Sequence, residues 1–197
     1  MTTIALMARA PVAGQAKTRL IPALGAARAA ALAERLLDHA VGQAVAAALG
    51  PVTLWTTPSC THPAFQRLQA QHGLTLALQP AGDLGARMAA VFDSNNGPVL
   101  LMGTDAPALD AALLRAAARA LATHDAVFVP ALDGGYALVG LQRPAPTLFS
   151  GMTWSTPQVM ADTRLRLAAA GLRHAELAAV PDIDEPPDLA HLPTGWL

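Results

Sequence analysis

Lysine is nearly missing from this chain. Of its 13 basic residues only Lys17 is a lysine, and every other cation is an arginine. A lysine ammonium is a compact point charge suited to phosphate oxygens, and a guanidinium is not its equivalent. Chance would also leave one lysine somewhere in an Ala/Arg-rich chain, so the neighbours of Lys17 carry the argument. Cysteine is equally scarce. Cys60 alone excludes an internal disulfide and a four-Cys metal site, and its ordinary reading is a lone buried thiol. Long basic runs are absent and the net charge is −1, which argues against a broad nucleic-acid surface. The stretch from His39 to Gln66 lacks formal charge, but Gly42, Gly50, Pro51 and Pro58 break it, so it is no membrane span. Ala8-Arg9-Ala10 resembles a leader cleavage site, yet the apolar run before it is too short and no basic segment precedes it. A soluble, cytoplasmic protein is expected, with neither nucleic acid nor membrane as partner.

Several catalytic signatures are missing too. A Walker loop needs glycine where this chain has Pro11 and Ala16. Neither a dinucleotide fingerprint nor a G-x-S-x-G nucleophile elbow occurs, and the histidines show no metal-ligand spacing.

What is present reads as one α/β domain over residues 1–197. Apolar residues make up 53% against 14% charged, a balance that buries a core rather than staying disordered. Strands are predicted at Ile4–Ala8, Val52–Thr56, Leu74–Leu78, Val99–Met102 and Ala126–Val129, the first and fourth of them buried. Helices are predicted at Gly25–Leu49, His62–His72, Leu84–Phe92, Leu109–Leu121 and Gln158–Ala170. Asp133-Gly134-Gly135 reads as a hairpin turn into a strand Tyr136–Leu141. Arg173–Ala178 reads as an edge strand and Asp188–His191 as a terminal helical turn. Alternating strands and helices imply a mainly parallel sheet flanked by helices, made mixed by the late hairpin.

In such sheets ligands bind beyond the carboxyl ends of the strands, and the unusual residues collect there. After the first strand come Arg9, Gly14, Lys17 and Arg19, a loop able to neutralise a di- or triphosphate or to be an ordinary surface loop. After Val99–Met102 come Gly103-Thr104-Asp105-Ala106-Pro107. Asp105 suits Mg²⁺ or Mn²⁺, which use few protein ligands plus phosphates; the alternative is a helix cap, for which Asp110 is better placed. Asp133-Gly134-Gly135 either is only a tight turn or brings backbone close to a ligand. Tyr136, the only tyrosine, needs a hydroxyl partner if buried. Asp182-Ile183-Asp184-Glu185 is either solvated or lends a second metal ligand.

These pieces resemble the DUF2064 family of glycosyltransferase-like proteins, some of them named arsenosugar-biosynthesis glycosyltransferases. The matching segments are Ala8 to Pro11, Gly14, Lys17 to Leu20, Asp83 to Met88, Gly103 to Pro107, Asp133 to Tyr136, Trp154 to Thr156 and Asp182 to Asp184. The resemblance implies the GT-A, or nucleotide-diphospho-sugar transferase, fold. The first loop is also similar to that of 2-phospholactate and molybdenum-cofactor guanylyltransferases. There a loop lysine serves phosphates and a strand-end aspartate holds the metal, matching Lys17 and Asp105. The nucleotidyltransferase loop carries more glycines than the lone Gly14.

Residues and resemblance together place Arg9, Gly14, Lys17, Arg19, Asp83 and Arg87 on the nucleotide. Asp105 and Asp184 are placed at Mg²⁺ or Mn²⁺, Asp133 and Tyr136 at catalysis, and Gly134, Gly135 and Trp154 on the acceptor side. The expected activity is metal-dependent glycosyl transfer from a nucleotide-diphospho-sugar to a small acceptor. The alternatives are nucleotidyl transfer with release of pyrophosphate, and a non-catalytic nucleotide-binding module.

Overall fold

A computed structural model describes the chain from Met1 to Leu197. Strands β1 (Thr3–Arg9), β2 (Val52–Thr57), β3 (Thr75–Leu78), β4 (Val99–Met102), β5 (Ala126–Pro130), β6 (Tyr136–Leu141) and β7 (His174–Glu176) form one sheet in the order β3-β2-β1-β4-β6-β5-β7. Only β6 runs antiparallel to its neighbours β4 and β5; all other pairs are parallel. The mixed, mainly parallel α/β architecture expected from the sequence is therefore the observed one.

Period-two alternation explains why both faces are covered. Ile4, Leu6 and Ala8 of β1, Leu100 and Met102 of β4, and Val127 and Val129 of β5 face one core. That core is closed by helices α2 (Ala26–Ala47), α3 (Pro63–His72) and α5 (Ala111–Leu121). The intervening Ala5, Val99, Leu101, Ala126 and Phe128 face a second core under α4 (Leu84–Asp93) and α6 (Val159–Ala169). Phe92 stacks on Phe149 there, with ring centroids 5.6 Å apart. Each such fully buried side chain contributes about 1.5–3 kcal/mol of apolar burial.

Helix starts follow the side-chain signals. Asp110 accepts the Leu113 N–H at 2.7 Å and caps α5, which leaves Asp105 free of that duty. Between Lys17 and α2 lie a 3-10 turn, Thr18–Leu20, and a short helix α1 (Ile21–Leu24), neither expected from the sequence. Cys60 is half-buried rather than buried, with its Sγ facing the Thr56 hydroxyl at 3.2 Å. No helix is long and apolar enough to cross a membrane.

The chain passes from β1 outward to β2 and β3, then returns to the other side of β1 as β4. The loops after β1 and β4 thus leave adjacent parallel strands in divergent directions, which opens a crevice at the carboxyl edge. A third segment closes that crevice. The Ile183 N–H donates to the Asp105 carbonyl at 2.9 Å, and the Ile183 side chain is fully buried against Leu20, Ala29, Leu32 and Leu36.

Candidate active site

Lys17 stands where these three segments meet. Its Nζ lies 2.7 Å from Asp105 Oδ1, 2.9 Å from Asp184 Oδ1 and 2.6 Å from the Ile183 carbonyl. An ammonium has three N–H donors, so all of them are engaged. The side chain is only 7% exposed, whereas both carboxylates are 46% exposed. Burial by itself would lower the Lys17 ammonium, but Asp105 and Asp184 outweigh it and hold it above its ordinary value. The backbone at Lys17 is left-handed, with φ 48° and ψ 46°. For a side chain other than glycine that costs about 1–2 kcal/mol, which the triple contact offsets.

The other expected phosphate residues spread along the crevice. Arg19 is exposed and sits 3.7 Å from both Asp184 and Glu185. Gly14 lies in the turn of the first loop with φ 80°, and a side chain there would point into open space. Arg9 is exposed at the end of β1. Asp83 acts as the α4 cap, accepting the Ala86 N–H at 2.8 Å. Arg87 donates to the Gly82 carbonyl at 3.0 Å and reaches Gln79 Oε1 at 3.4 Å. Gln79 in turn donates to the carbonyls of Ala8 and Trp55, tying Arg87 to the ends of β1 and β2. Nothing in the sequence singled out Gln79, because its partners are the backbones of distant strands.

Carboxylates dominate the space beside Lys17. Asp133, Asp182, Asp184, Glu185 and Asp188 border one bowl with Arg19, and Asp105 adjoins it. Burial first, then the negative charges of Asp133, Asp184 and Asp105, push the Asp182 carboxyl up to about 6. Asp182 was visible in the sequence only as part of an acidic run; its nearness to Asp133 comes from the fold. Asp133 Oδ1 accepts the Gly135 N–H at 2.8 Å, a local turn bond that leaves its second oxygen available.

A cavity of about 330 Å³ opens beside Asp105, Asp133 and Asp182. Gly135, Tyr136 and Trp154 line it. Gly134 does not. A side chain there would begin 2.2 Å from the Pro157 carbonyl oxygen, and its φ is 95°. Close approach at Gly134 serves packing of the hairpin on the segment before α6, and its carbonyl accepts the Met160 N–H. The Tyr136 hydroxyl faces Met88 Sδ at 4.0 Å, and burial holds it well above the usual phenol range. A phenol so placed is a wall of the cavity and is not poised to give up its proton. Trp154 packs over Gly85, and its indole N–H is buried without a partner.

Asp105 and Asp184 offer hard oxygen donors converging on one cation. This suits Mg²⁺ or Mn²⁺, which take one or two carboxylates and complete their shell with water and phosphate. No group of three or more His, Cys, Asp or Glu is arranged as a complete protein-only metal site.

A family model described as "Uncharacterized protein conserved in bacteria (DUF2064)" matches residues 27–156. This chain belongs to the DUF2064 family. No curated protein matches it. Among solved structures, it resembles a candidate nucleotide-diphospho-sugar transferase from Desulfovibrio desulfuricans G20. The two share 28% identity over 95% of this chain and 84% of that one, with a TM-score of 0.85. A nucleotidyl transferase from Methanothermobacter shares the fold at 13% identity, covering 97% of this chain and 95% of that one, with a TM-score of 0.67. A cytidylyltransferase from Leptospira borgpetersenii does so at 12% identity, covering 100% and 89%, with a TM-score of 0.60. This DUF2064 chain thus has the fold of the nucleotide-diphospho-sugar transferases, as its motifs implied.

Proposed function

We propose that this protein is a transferase that uses an activated nucleotide. Its reaction in this reading is glycosyl transfer from a nucleotide-diphospho-sugar to a hydroxyl of a small acceptor, with Mg²⁺ or Mn²⁺ as cofactor. One observation carries the reading: the loops after β1 and β4 and the segment after β7 bring Lys17, Asp105 and Asp184 together at the point where the strand order reverses. The likeness to the Desulfovibrio protein, whose name describes a nucleotide-diphospho-sugar transferase, supports it.

Charge supports the cofactor. Six carboxylates surround two cations here, so a diphosphate would be repelled unless a further cation arrived with it. A bound divalent ion would supply charge neutralisation for the departing diphosphate, with Asp105 and Asp184 as the residues to hold it. Lys17 keeps those two carboxylates together, and it reaches a phosphate only by releasing one of its present partners. Arg9, Arg19 and Arg87 are the cations with solvent access to meet the nucleotide. Asp133 and Asp182 border the acceptor cavity and are the groups to orient the acceptor hydroxyl and take its proton.

Nucleotidyl transfer is the second reading, and the fold alone serves it equally. It requires a phosphorylated nucleophile, however, and the cavity presents that group with three carboxylates and no basic side chain in its lining, Lys17 being paired with Asp105. Phosphorus NMR tests the choice. Incubation with Mn²⁺ and a panel of UDP-, GDP- and dTDP-sugars is expected to release nucleoside diphosphate slowly, with water replacing the acceptor. Pyrophosphate formed from a nucleoside triphosphate and a sugar phosphate, dependent on Asp105, would refute glycosyl transfer in favour of nucleotidyl transfer.

A further inference from the structure

The walls of the acceptor cavity restrict what can enter it. Met7 of β1, Met88 of α4, Met102 of β4 and Val139 of β6 give it an apolar lining. Its polar side chains are Asp105, Asp133, Asp182, Ser155 and Thr156, together with Tyr136 and Trp154. The last two offer little, since the Tyr136 hydroxyl faces Met88 and the Trp154 N–H is sealed against Gly85. No lysine, arginine, histidine, asparagine or glutamine lines the cavity.

Each class of guest meets this lining differently. A phosphate or carboxylate finds three carboxylates, of which only Asp105 has a cation beside it, while Asp133 and Asp182 have none. A polyhydroxyl body would bury some of its hydroxyls among thioethers and methyl groups, because Ser155, Thr156 and the carboxylates supply too few partners for all of them. An apolar body loses no hydrogen bond on entry and gains from leaving water. Thioether walls adapt to irregular shapes, and the Trp154 ring adds a flat face. A single hydroxyl on such a body has partners on the acidic side, where Asp105 is already paired with Lys17 and Asp133 with the Gly135 N–H.

We infer that this cavity is the acceptor subsite and takes an alcohol with a compact apolar body, its one hydroxyl directed to Asp133 and Asp182. The inference rests on the glycosyl-transfer reading and names its acceptor class. The acceptor oxygen forms a bond to the anomeric carbon, and the bond from that carbon to the diphosphate oxygen breaks. The nucleoside diphosphate leaves with the electron pair, and the hydroxyl proton passes to a cavity carboxylate.

Ligand-observed NMR on the full chain tests this with cyclohexanol, cyclohexylamine, glycerol and glycerol 3-phosphate as probes. Cyclohexanol should bind saturably and at least about ten-fold more tightly than glycerol, with glycerol 3-phosphate silent. Ala137→Leu fills the cavity and should abolish that binding. Leu84→Glu places a charge on the wall from a side chain already 44% exposed, so folding is not at risk, and it should weaken binding several-fold. Glycerol or its phosphate binding as tightly as cyclohexanol would overturn the inference, as would the absence of any saturable binding. Tighter binding of cyclohexylamine would replace the alcohol with an amine, and cyclohexanol binding indifferent to both variants would place it elsewhere. Calorimetry with Mn²⁺ and nucleoside diphosphates on the same samples separates the two readings. Nucleotide binding without cyclohexanol binding removes the acceptor class and leaves the transferase reading. Cyclohexanol binding without any nucleotide binding removes the transferase reading and the acceptor role with it.

Discussion

Replacing Lys17 by methionine keeps an unbranched apolar stem and removes the charge and its donors. Three contacts disappear, to Asp105, Asp184 and the Ile183 carbonyl. Breaking a buried ion pair from one side costs about 3–5 kcal/mol because a buried charge is left unpaired. Here the charges left behind are the two aspartates, each 46% exposed and partly relieved by water. A loss of about 2 kcal/mol is therefore expected, at the level of charge-assisted hydrogen bonds rather than of a sealed pair. For a chain of this size that lowers the melting temperature by roughly 4–8 °C. The second half of the prediction concerns Mn²⁺. Two carboxylates relieved of their ammonium should bind the ion without nucleotide, and at about a hundred times its Kd the ion restores about 2.7 kcal/mol. Wild type, in which Lys17 competes for the same oxygens, should gain little from Mn²⁺ until nucleotide is added. Thermal melts of both proteins with Mn²⁺, with nucleoside diphosphate and with both decide the matter. A variant as stable as wild type, or a wild type that gains as much from Mn²⁺ alone as the variant, would show that Lys17 neither clamps these carboxylates nor competes at them. Lys17→Arg should recover only part of the loss, since a planar guanidinium does not match three acceptors around one point.

Other predictions follow from the same geometry. Asp105→Asn should lose the Mn²⁺-dependent stabilisation in the presence of nucleotide yet remain folded, because Asp110 caps α5 and the Ile183 N–H bonds the backbone of residue 105. An undiminished metal response would move the metal away from Asp105. Asp182, held near 6, takes up a proton more readily in the folded chain than in the unfolded one. Its contribution is present below the ordinary aspartate value and is lost as pH rises through about 6. Asp182→Asn should accordingly raise the melting temperature at about pH 8 and have little effect at about pH 4, and equal shifts at both would exclude this linkage. Gly134→Ala should destabilise by about 2–5 kcal/mol, through left-handed strain plus collision with Pro157, and chemical denaturation that finds no change would contradict the packing described.

Much of this arrangement is legible before any coordinates. The apolar runs Ile4–Ala8, Val99–Met102 and Ala126–Val129 mark strands, two of them read as buried, and Asp110 marks the start of α5. The carboxyl-edge grouping of Lys17, Asp105 and Asp133 follows from each lying just past the end of a predicted strand. What stays hidden is non-local. Thr18–Leu24 is too short for periodicity to register, and its packing on Ile183 joins distant parts of the chain. Gly134 reads as a turn residue whether its neighbour is a ligand or Pro157. The lysine motif indicates a cation near phosphate, but motif spacing cannot reveal that all three of its donors already have partners.

Those partners carry a kinetic consequence. Lys17 and Asp184 are 167 residues apart in sequence, so their meeting closes almost the whole chain into a loop. Such closure is among the last contacts to repay its entropy during folding, after local helices and adjacent strands have formed. The site should accordingly form on the native side of the folding barrier. Stopped-flow measurements on Lys17→Met would then show faster unfolding with refolding nearly unchanged. The residue that assembles the site would set how long the native protein persists, and hardly at all how quickly it is made.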